Sequence, residues 1–155
     1  MVFVGGNAGV QVENRATSVL PQQLADRFGW DMMITTVASV YQSLPANERA
    51  VACILTENYG EAGAIDLYGP AYHLPRAISG HNTYYLWGPA NCTGEVVITI
   101  GYSLNAIQPF FHSVTPAAVN ICAYCMPAEN NLPIYVARHL KGSMQTVWPQ
   151  VKHYN

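Results

Sequence analysis

The spacing of hydrophobic residues changes along the chain, and each change predicts a different element. From Trp30 to Leu44, apolar residues recur every three or four positions until Pro45 stops the run, which predicts an amphipathic helix. Over residues 50–56 the apolar run is almost unbroken, as is typical of a strand covered on both faces of a sheet. The same pattern predicts a second buried strand over 95–101.

Weaker patterns predict the other elements. They are a helix after Pro21, a helix starting near Glu61, a strand over 76–79, a helix capped by Ser103, strands over 119–124 and 134–138, and a last helix capped by Ser143. Helices thus alternate with strands, which predicts a three-layer α/β domain with a mostly parallel, Rossmann-like or flavodoxin-like sheet. We expect helices on both faces and an antiparallel edge formed by the last two strands. Residues 1–17 are predicted to be an irregular arm and residues 18–155 a single domain.

Composition narrows the function classes. Half of the 155 residues are hydrophobic and only 10% are charged, with a net charge of -2. The seven basic residues are scattered, so the charge distribution gives no reason to expect nucleic-acid binding. No window approaches the roughly eighteen apolar residues of a membrane helix, and the start lacks the features of a signal peptide. We therefore expect a soluble chain.

The four cysteines favour a structural role over a metal or redox role. Cys53 lies inside a predicted strand and is interpreted as a small buried apolar residue, while Cys92 lies in a polar loop. Cys122 and Cys125 form a single C-x-x-C without the second ligand pair that a structural zinc site needs. A disulfide is expected only if the domain works outside the cytoplasm.

The candidate site follows two predicted strands, where residues of a parallel sheet open onto one edge. Glu61 and His81 are the titratable pair there, and they are the low-ranking candidates for an acid and a base or for polar ligand contacts. The alternative is that Glu61 satisfies helix amides and His81 bonds a neighbouring turn. That alternative is favoured over a catalytic role for the pair, and it is about as well supported as a ligand-binding role.

Amides, a hydroxyl and aromatic rings accompany this pair, and such a surface suits sugars. The aromatic group is Tyr59, Tyr84, Tyr85 and Trp87, which would serve a core or an interface equally well. Glu129 either extends the pocket or, as favoured, pairs with Arg138. The predicted ligand-binding residues are Asn58, Tyr59, Glu61, Ser79, His81, Asn82, Trp87 and Glu129.

Several common motifs are absent from the sequence. It has no glycine-rich phosphate loop and no nucleophile elbow. Its five histidines show no metal-ligand spacing, so neither a metal nor a cofactor is predicted.

Five segments together resemble one family. They are LPQQLADRFGW at 20–30, VYQSLP at 40–45, NYGEAGAIDLYG at 58–69, LPRAISGHNTYYLWGP at 74–89 and LPIYVARHLK at 132–141. The chain resembles, over nearly everything after about residue 13, the C-terminal soluble region of bacterial membrane glycosyltransferases. That group comprises the protein mannosyltransferases and aminoarabinose transferase-like enzymes, glycosyltransferase family 39.

The resemblance implies transfer of sugar from a polyprenyl-phosphate donor on the extracytoplasmic side of a membrane. The family's catalytic acids lie near its first membrane helices, which this sequence does not contain, so no catalytic residue is carried over. The residues that match the soluble region's pattern are Asp26, Arg27, Trp30, Asn58, Tyr59, Gly60, Glu61, Gly63, Asp66, Ser79, Gly80, His81, Asn82, Trp87 and Gly88.

Three functions follow as hypotheses. The first is a non-catalytic, extracytoplasmic accessory domain that recognises a glycan or another small polar ligand and rests against a membrane glycosyltransferase domain. The second is a free-standing hydrolase or transferase that uses Glu61 and His81, in which case a cytoplasmic location is expected. The third is a protein interaction module, for example a homodimer.

Overall fold

One mixed five-stranded sheet organises the fold of the computed structural model, which describes residues 19–25 and 27–154. The predicted arm over 1–17 lies outside the described residues. The strands are β1 (Ala52–Thr56), β2 (Ala77–Ser79), β3 (Val96–Ile100), β4 (Phe111–Asn120) and β5 (Leu132–Leu140). Their order is β2-β1-β3-β5-β4, in which β1, β2 and β3 are parallel and β5 and β4 are antiparallel to their neighbours. The predicted α/β class, with a parallel centre and an antiparallel edge, is confirmed.

Helices cover both faces of this sheet. They are α1 (Gln22–Ala25), α2 (Trp30–Ser43), α3 (Ala46–Arg49), α4 (Tyr59–Tyr68), α5 (Thr83–Trp87), α6 (Leu104–Ile107) and α7 (Met144–Val151). The apolar face of α2 packs with α4 on one side of the sheet. On the other side, α7 and residues of α5 form a second apolar cluster.

Side-chain alternation in the central strands explains these two clusters. Successive residues of a strand point to opposite faces. Ile54 therefore joins the cluster under α2 and α4, whereas Cys53 and Leu55 join the cluster under α7. Since both faces are buried, the strand has few polar positions, which is why its apolar run was visible in the sequence.

The strand predicted over 119–124 is wrong, because β4 begins at Phe111 and ends at Asn120. Most β4 side chains are exposed, and the strand is shifted in register between Pro116 and Ala118. An exposed edge strand with a proline lacks the apolar alternation that marks a buried strand. Residues 121–126 instead form a loop.

All four cysteines are cross-linked, as Cys53–Cys92 and Cys122–Cys125. Cys53 is buried, as an apolar residue would be, but the sequence interpretation missed its bond to the polar loop. The second disulfide packs on Gly29, which precedes α2 with φ of 87°. A Cβ atom at Gly29 would overlap both sulfurs, so the loop approaches α2 closely only because this residue is glycine.

The favoured pairing of Glu129 with Arg138 is also wrong. Arg138 donates from Nε and Nη2 to the two carboxylate oxygens of Glu48, each at 2.9 Å. This fork joins β5 to α3, a partner 90 residues away in sequence that no local pattern specifies. Among the described residues, no helix combines the length and the apolar character needed to cross a membrane.

Candidate functional site

The parallel strands bring the predicted site residues to one edge of the sheet. Thr56, the last residue of β1, is paired with Ser79 of β2 and with Ile100 of β3. The chain that follows each strand therefore starts from the same edge. The residues placed around this edge are Asn58, Tyr59, Glu61, Ser79, His81 and Asn82.

The Glu61 side chain caps the first turn of α4. The side chain of Asn58 accepts a bond from the Gly60 N–H at 2.6 Å, and the Glu61 carboxylate accepts one from the Asn58 N–H at 3.3 Å. This capping box satisfies helix N–H groups that have no partner within the helix. Glu61 is 1% exposed, so its carboxylate does not face solvent.

His81 is also fully buried, and its ring contacts neighbouring groups. Its Nδ1 accepts a bond from the Tyr59 N–H at 3.3 Å. One face of the ring stacks on His153, with centroids 4.5 Å apart, and the Tyr59 ring lies 4.9 Å away at an angle of 59°. His81 therefore accepts a bond from the first residue of α4 and packs against two aromatic rings.

The chain after α7 covers this edge. His153 forms a one-residue parallel bridge with His81. Its N–H donates to the Gly80 carbonyl at 3.0 Å, and its carbonyl accepts from the Asn82 N–H at 3.2 Å. We refer to residues 152–154 as the C-terminal strap. The strap lies where the sequence predicted an open crevice.

The other predicted ligand-binding residues lie in different environments. Trp87 is 61% exposed and meets Tyr84 edge-on at 4.7 Å. Glu129 is buried in the loop between β4 and β5, and β5 starts beside the carboxyl end of β3. Tyr85 stacks on Trp148 in the core under α7, so the predicted aromatic group does not form one surface.

Tyr84 links three elements through Asp66. Asp66 of α4 accepts bonds from the Tyr84 hydroxyl at 3.1 Å and from the Ala77 N–H of β2 at 2.9 Å, and it forms an ion pair with Arg76. Burial, together with the Asp66 carboxylate, raises the pKa of Tyr84 to about 12. The phenol therefore stays neutral and keeps donating to Asp66 across the physiological pH range.

An apolar cleft lies between α6 and α7, and the strap forms part of its wall. It has a volume of about 290 Å³. Its walls include Leu55, Val97, Ile107, Phe110, Met144 and Trp148. Two charged side chains, Glu57 and Lys152, also line it. In open α/β sheets, ligands commonly bind just outside the carboxyl ends of the strands, and this cleft borders those ends.

Two polar side chains of the cleft, Tyr102 and Lys152, contact neighbouring groups. The Tyr102 hydroxyl donates to the Thr56 carbonyl at 3.3 Å. Burial raises the pKa of Tyr102, and the carboxylates of Glu57 and Glu61 raise it further, so the phenol is neutral. Lys152 Nζ lies 5.1 Å from the ring centroids of both Tyr85 and Tyr154. The cleft thus combines an apolar interior with one acidic and one basic side chain.

A wider groove of about 700 Å³ lies between α2 and β4. Its lining is mostly short side chains such as Thr36, Ser39 and Thr115, and the Arg138 guanidinium in its wall is already paired with Glu48. Neither the groove nor the apolar cleft is lined by a predicted ligand-binding residue, but the cleft is the more enclosed of the two and borders the carboxyl ends of β1 and β3. We therefore place the candidate site at the apolar cleft.

The sequence predicted helices capped by Ser103 and Ser143, which are α6 and α7, but it indicated no cleft between them. Both helices are short; Pro109 follows two residues after the end of α6, and Pro149 lies inside α7. Two short amphipathic helices that follow strands are the signal that could have indicated a cleft between them. His153 was missed because nothing in its local sequence marks its contact with His81.

Among residues 19–25 and 27–154, no group of three or more His, Cys, Asp or Glu side chains is arranged to hold a metal ion. Comparisons with protein-family models, with curated proteins and with solved structures give no match for the chain, so the glycosyltransferase resemblance stays a prediction.

Proposed function

We propose that this chain is a non-catalytic recognition domain that binds a small amphipathic substrate, with the apolar part of the substrate in the cleft between α6 and α7. The apolar cleft is the observation that carries this proposal. Cavities of about 150 Å³ with apolar walls bind benzene, so 290 Å³ accommodates a body about twice that size. The polar end of such a substrate would lie near Glu57 and Lys152.

The surroundings of Glu61 and His81 support the non-catalytic part of the proposal. A general acid or base must come within hydrogen-bond reach of the reacting group. Both side chains are at most 1% exposed, and both accept bonds from backbone N–H groups at the start of α4. Their contacts account for their positions without a substrate.

The resemblance supplies the class of substrate. A polyprenyl-phosphate sugar has an apolar chain, an anionic phosphate and a hydroxyl-rich ring. The apolar cleft suits the chain, the Lys152 ammonium suits the phosphate, and the Glu57 carboxylate suits sugar hydroxyls. The partner would be the membrane domain of such a glycosyltransferase.

The two disulfides support an extracytoplasmic location for this function. Disulfides persist in oxidising compartments and are rare in the cytosol. The proposed donor is also used on that side of the membrane in the family that the chain resembles.

The test uses octanol, octyl phosphate, octyl glucoside and free glucose as probes, with binding followed by the indole N–H resonance of Trp148. That indole donates to the Tyr85 carbonyl at 3.1 Å beside the cleft, so ligand entry should shift its signal. We expect saturable binding of the octyl compounds and none of glucose.

Ala106 and Asn105 provide a matched pair of variants. Both are exposed residues of α6, but only Ala106 lines the cleft. Ala106→Phe should fill the space and weaken octanol binding by at least about tenfold, whereas Asn105→Phe should leave it unchanged. Equal affinities in the two variants, or no binding of any octyl compound, would refute the proposal.

An interaction module is the second candidate, and one observation favours it. Leu86 and Trp87 are neighbours on α5 and are 72% and 61% exposed. Exposed apolar neighbours of this kind often belong to protein contacts. A concentration-dependent increase in sedimentation coefficient that Trp87→Ala abolishes would support this function through self-association, and a monomer at all concentrations would exclude self-association.

A further inference from the structure

The C-terminal strap is attached to the sheet edge by few contacts. Two backbone hydrogen bonds, those of His153 with Gly80 and Asn82, join it to the chain after β2. Its other contacts with the described residues are the His153 stack on His81, the hydrogen bond between His153 Nδ1 and the Val151 carbonyl at 2.9 Å, and the cation–π contact of Lys152 with Tyr85. Segments held by so few bonds and so little buried apolar surface open locally without unfolding the domain.

Polar groups lie beneath the strap rather than core side chains. His81 and Ser79 are 0% exposed, and the Ser79 hydroxyl accepts from the His81 N–H at 3.2 Å. If the strap moves away, the face of the His81 ring, the Gly80 carbonyl and the Asn82 N–H are uncovered together. One aromatic face, one acceptor and one donor would then point to the same space.

Asn82 has an unusual backbone conformation at this position. Its φ of 51° and ψ of −130° lie in a region that residues with a Cβ rarely adopt. Such conformations persist where the surrounding structure holds them, and they concentrate at ligand sites and switch segments. The Asn82 N–H is one of the two groups bonded to the strap.

The strap also forms one end of the apolar cleft. Val151, Lys152 and His153 all line the cleft, and the Val151 carbonyl packs so closely on Gly80 that a Cβ atom there would overlap it. Movement of the strap would therefore join the cleft to the space over His81. The result would be one continuous site with an apolar part and a polar part.

We infer that the strap is a displaceable lid, and that the His153 ring occupies the place of a sugar ring of the substrate. A sugar would present a C–H face to the His81 ring, and its hydroxyls, which both donate and accept, would replace the strap at Gly80 and Asn82. This inference rests on the proposed function, because the apolar part of the same substrate fills the cleft.

The first test follows amide hydrogen exchange in the full unmodified chain. The Asn82 and His153 amides should exchange faster than the amides of β1 and β3, because local opening exposes them. Exchange of these two amides only at the rate of global unfolding would overturn the inference, whatever the ligand results.

The second test compares His153→Ala with Tyr154→Ala, an exposed neighbour in the strap that makes no stack with His81. His153→Ala should tighten octyl glucoside binding by up to about tenfold, because the apparent dissociation constant falls as the open fraction rises. Octanol affinity should change clearly less than octyl glucoside affinity, because octanol does not need the space over His81 although His153 also lines the cleft. Tyr154→Ala should alter neither affinity.

The controls separate this inference from the proposed function. Octanol binding without a selective gain for octyl glucoside in His153→Ala would overturn only the lid. Absence of octanol binding to the unmodified chain would overturn the proposed function, and the exchange test would still decide whether the strap opens.

Discussion

Removal of the Cys53–Cys92 disulfide should destabilise the domain far more than removal of Cys122–Cys125. The first bond joins residues 39 positions apart, and the second joins residues 3 positions apart. A cross-link lowers the entropy of the unfolded chain by an amount that grows with the logarithm of the loop length. That relation gives about 4 kcal/mol for the long loop and about 1.5 kcal/mol for the short one at 25 °C.

The first figure is large against the roughly 5–15 kcal/mol that stabilises a typical domain. Cys53 is also buried in the apolar cluster under α7, so Cys53→Ala adds a packing loss, whereas the chain model counts only entropy. We therefore expect the Cys53→Ala/Cys92→Ala double variant to lose at least about 4 kcal/mol.

Urea denaturation followed by tryptophan fluorescence measures both double variants. The slope of free energy against urea should rise in Cys53→Ala/Cys92→Ala, because the unfolded chain without the long cross-link is more extended. A loss no larger than that of Cys122→Ala/Cys125→Ala would refute the loop-entropy argument. It would mean that the enthalpy of local packing decides the stability of both cross-links.

Three further predictions concern single residues. The Arg138 guanidinium lowers the pKa of the Glu48 carboxyl, so the stabilisation from this pair is full above the pKa of Glu48 in the unfolded chain and is lost as pH falls through its pKa in the folded chain. Glu48→Gln should therefore lower the free energy of unfolding by about 0.5–1 kcal/mol near neutral pH and leave it unchanged at about pH 2. Urea titrations at the two pH values measure both effects. Gly29→Ala should lower the free energy of unfolding by at least about 2 kcal/mol in the same assay, because its Cβ would overlap both sulfurs of Cys122–Cys125 at positive φ. Gly88→Ala also has positive φ but nothing near its Cβ, so it should lower it by only about 1 kcal/mol. Equal losses in the two variants would contradict the close approach of the disulfide to Gly29. Burial, aided by the nearby Asp66 carboxylate, raises the pKa of Tyr84 to about 12. The stabilisation from this phenol should therefore be full below about pH 10 and fall as pH rises through about 12. The difference in alkaline absorbance titration between the unmodified chain and Tyr84→Phe measures the pKa of Tyr84.

The sequence predicted the buried parts of the fold well. The central strands and α2 carry their burial in their own residue pattern, because a strand covered on both faces is apolar throughout and a helix on a sheet is apolar every three or four residues. The Ser143 cap of α7 was equally local, since its hydroxyl accepts from the N–H of Thr146 three residues on.

Local pattern failed at exposed and long-range features. The edge strand β4 is mostly exposed, so most of its length carries no apolar alternation to detect. The choice of Cys92 as the partner of Cys53 depends on where the loop before β3 returns to β1. No spacing in the sequence specifies that return.

At the carboxyl edge of the sheet, the sequence by itself determined which polar residues lie there, because strand direction fixes where Glu61 and His81 must be. Only the tertiary structure decided that this edge is covered. The strap reaches His81 from the far end of the chain, through a bridge between residues 72 positions apart. The same packing leaves the space between α6 and α7 unfilled, since two short helices separated along the chain by β4 and β5 meet only in the folded domain. Local pattern thus specifies burial and direction, whereas contacts between distant segments decide whether a site is open.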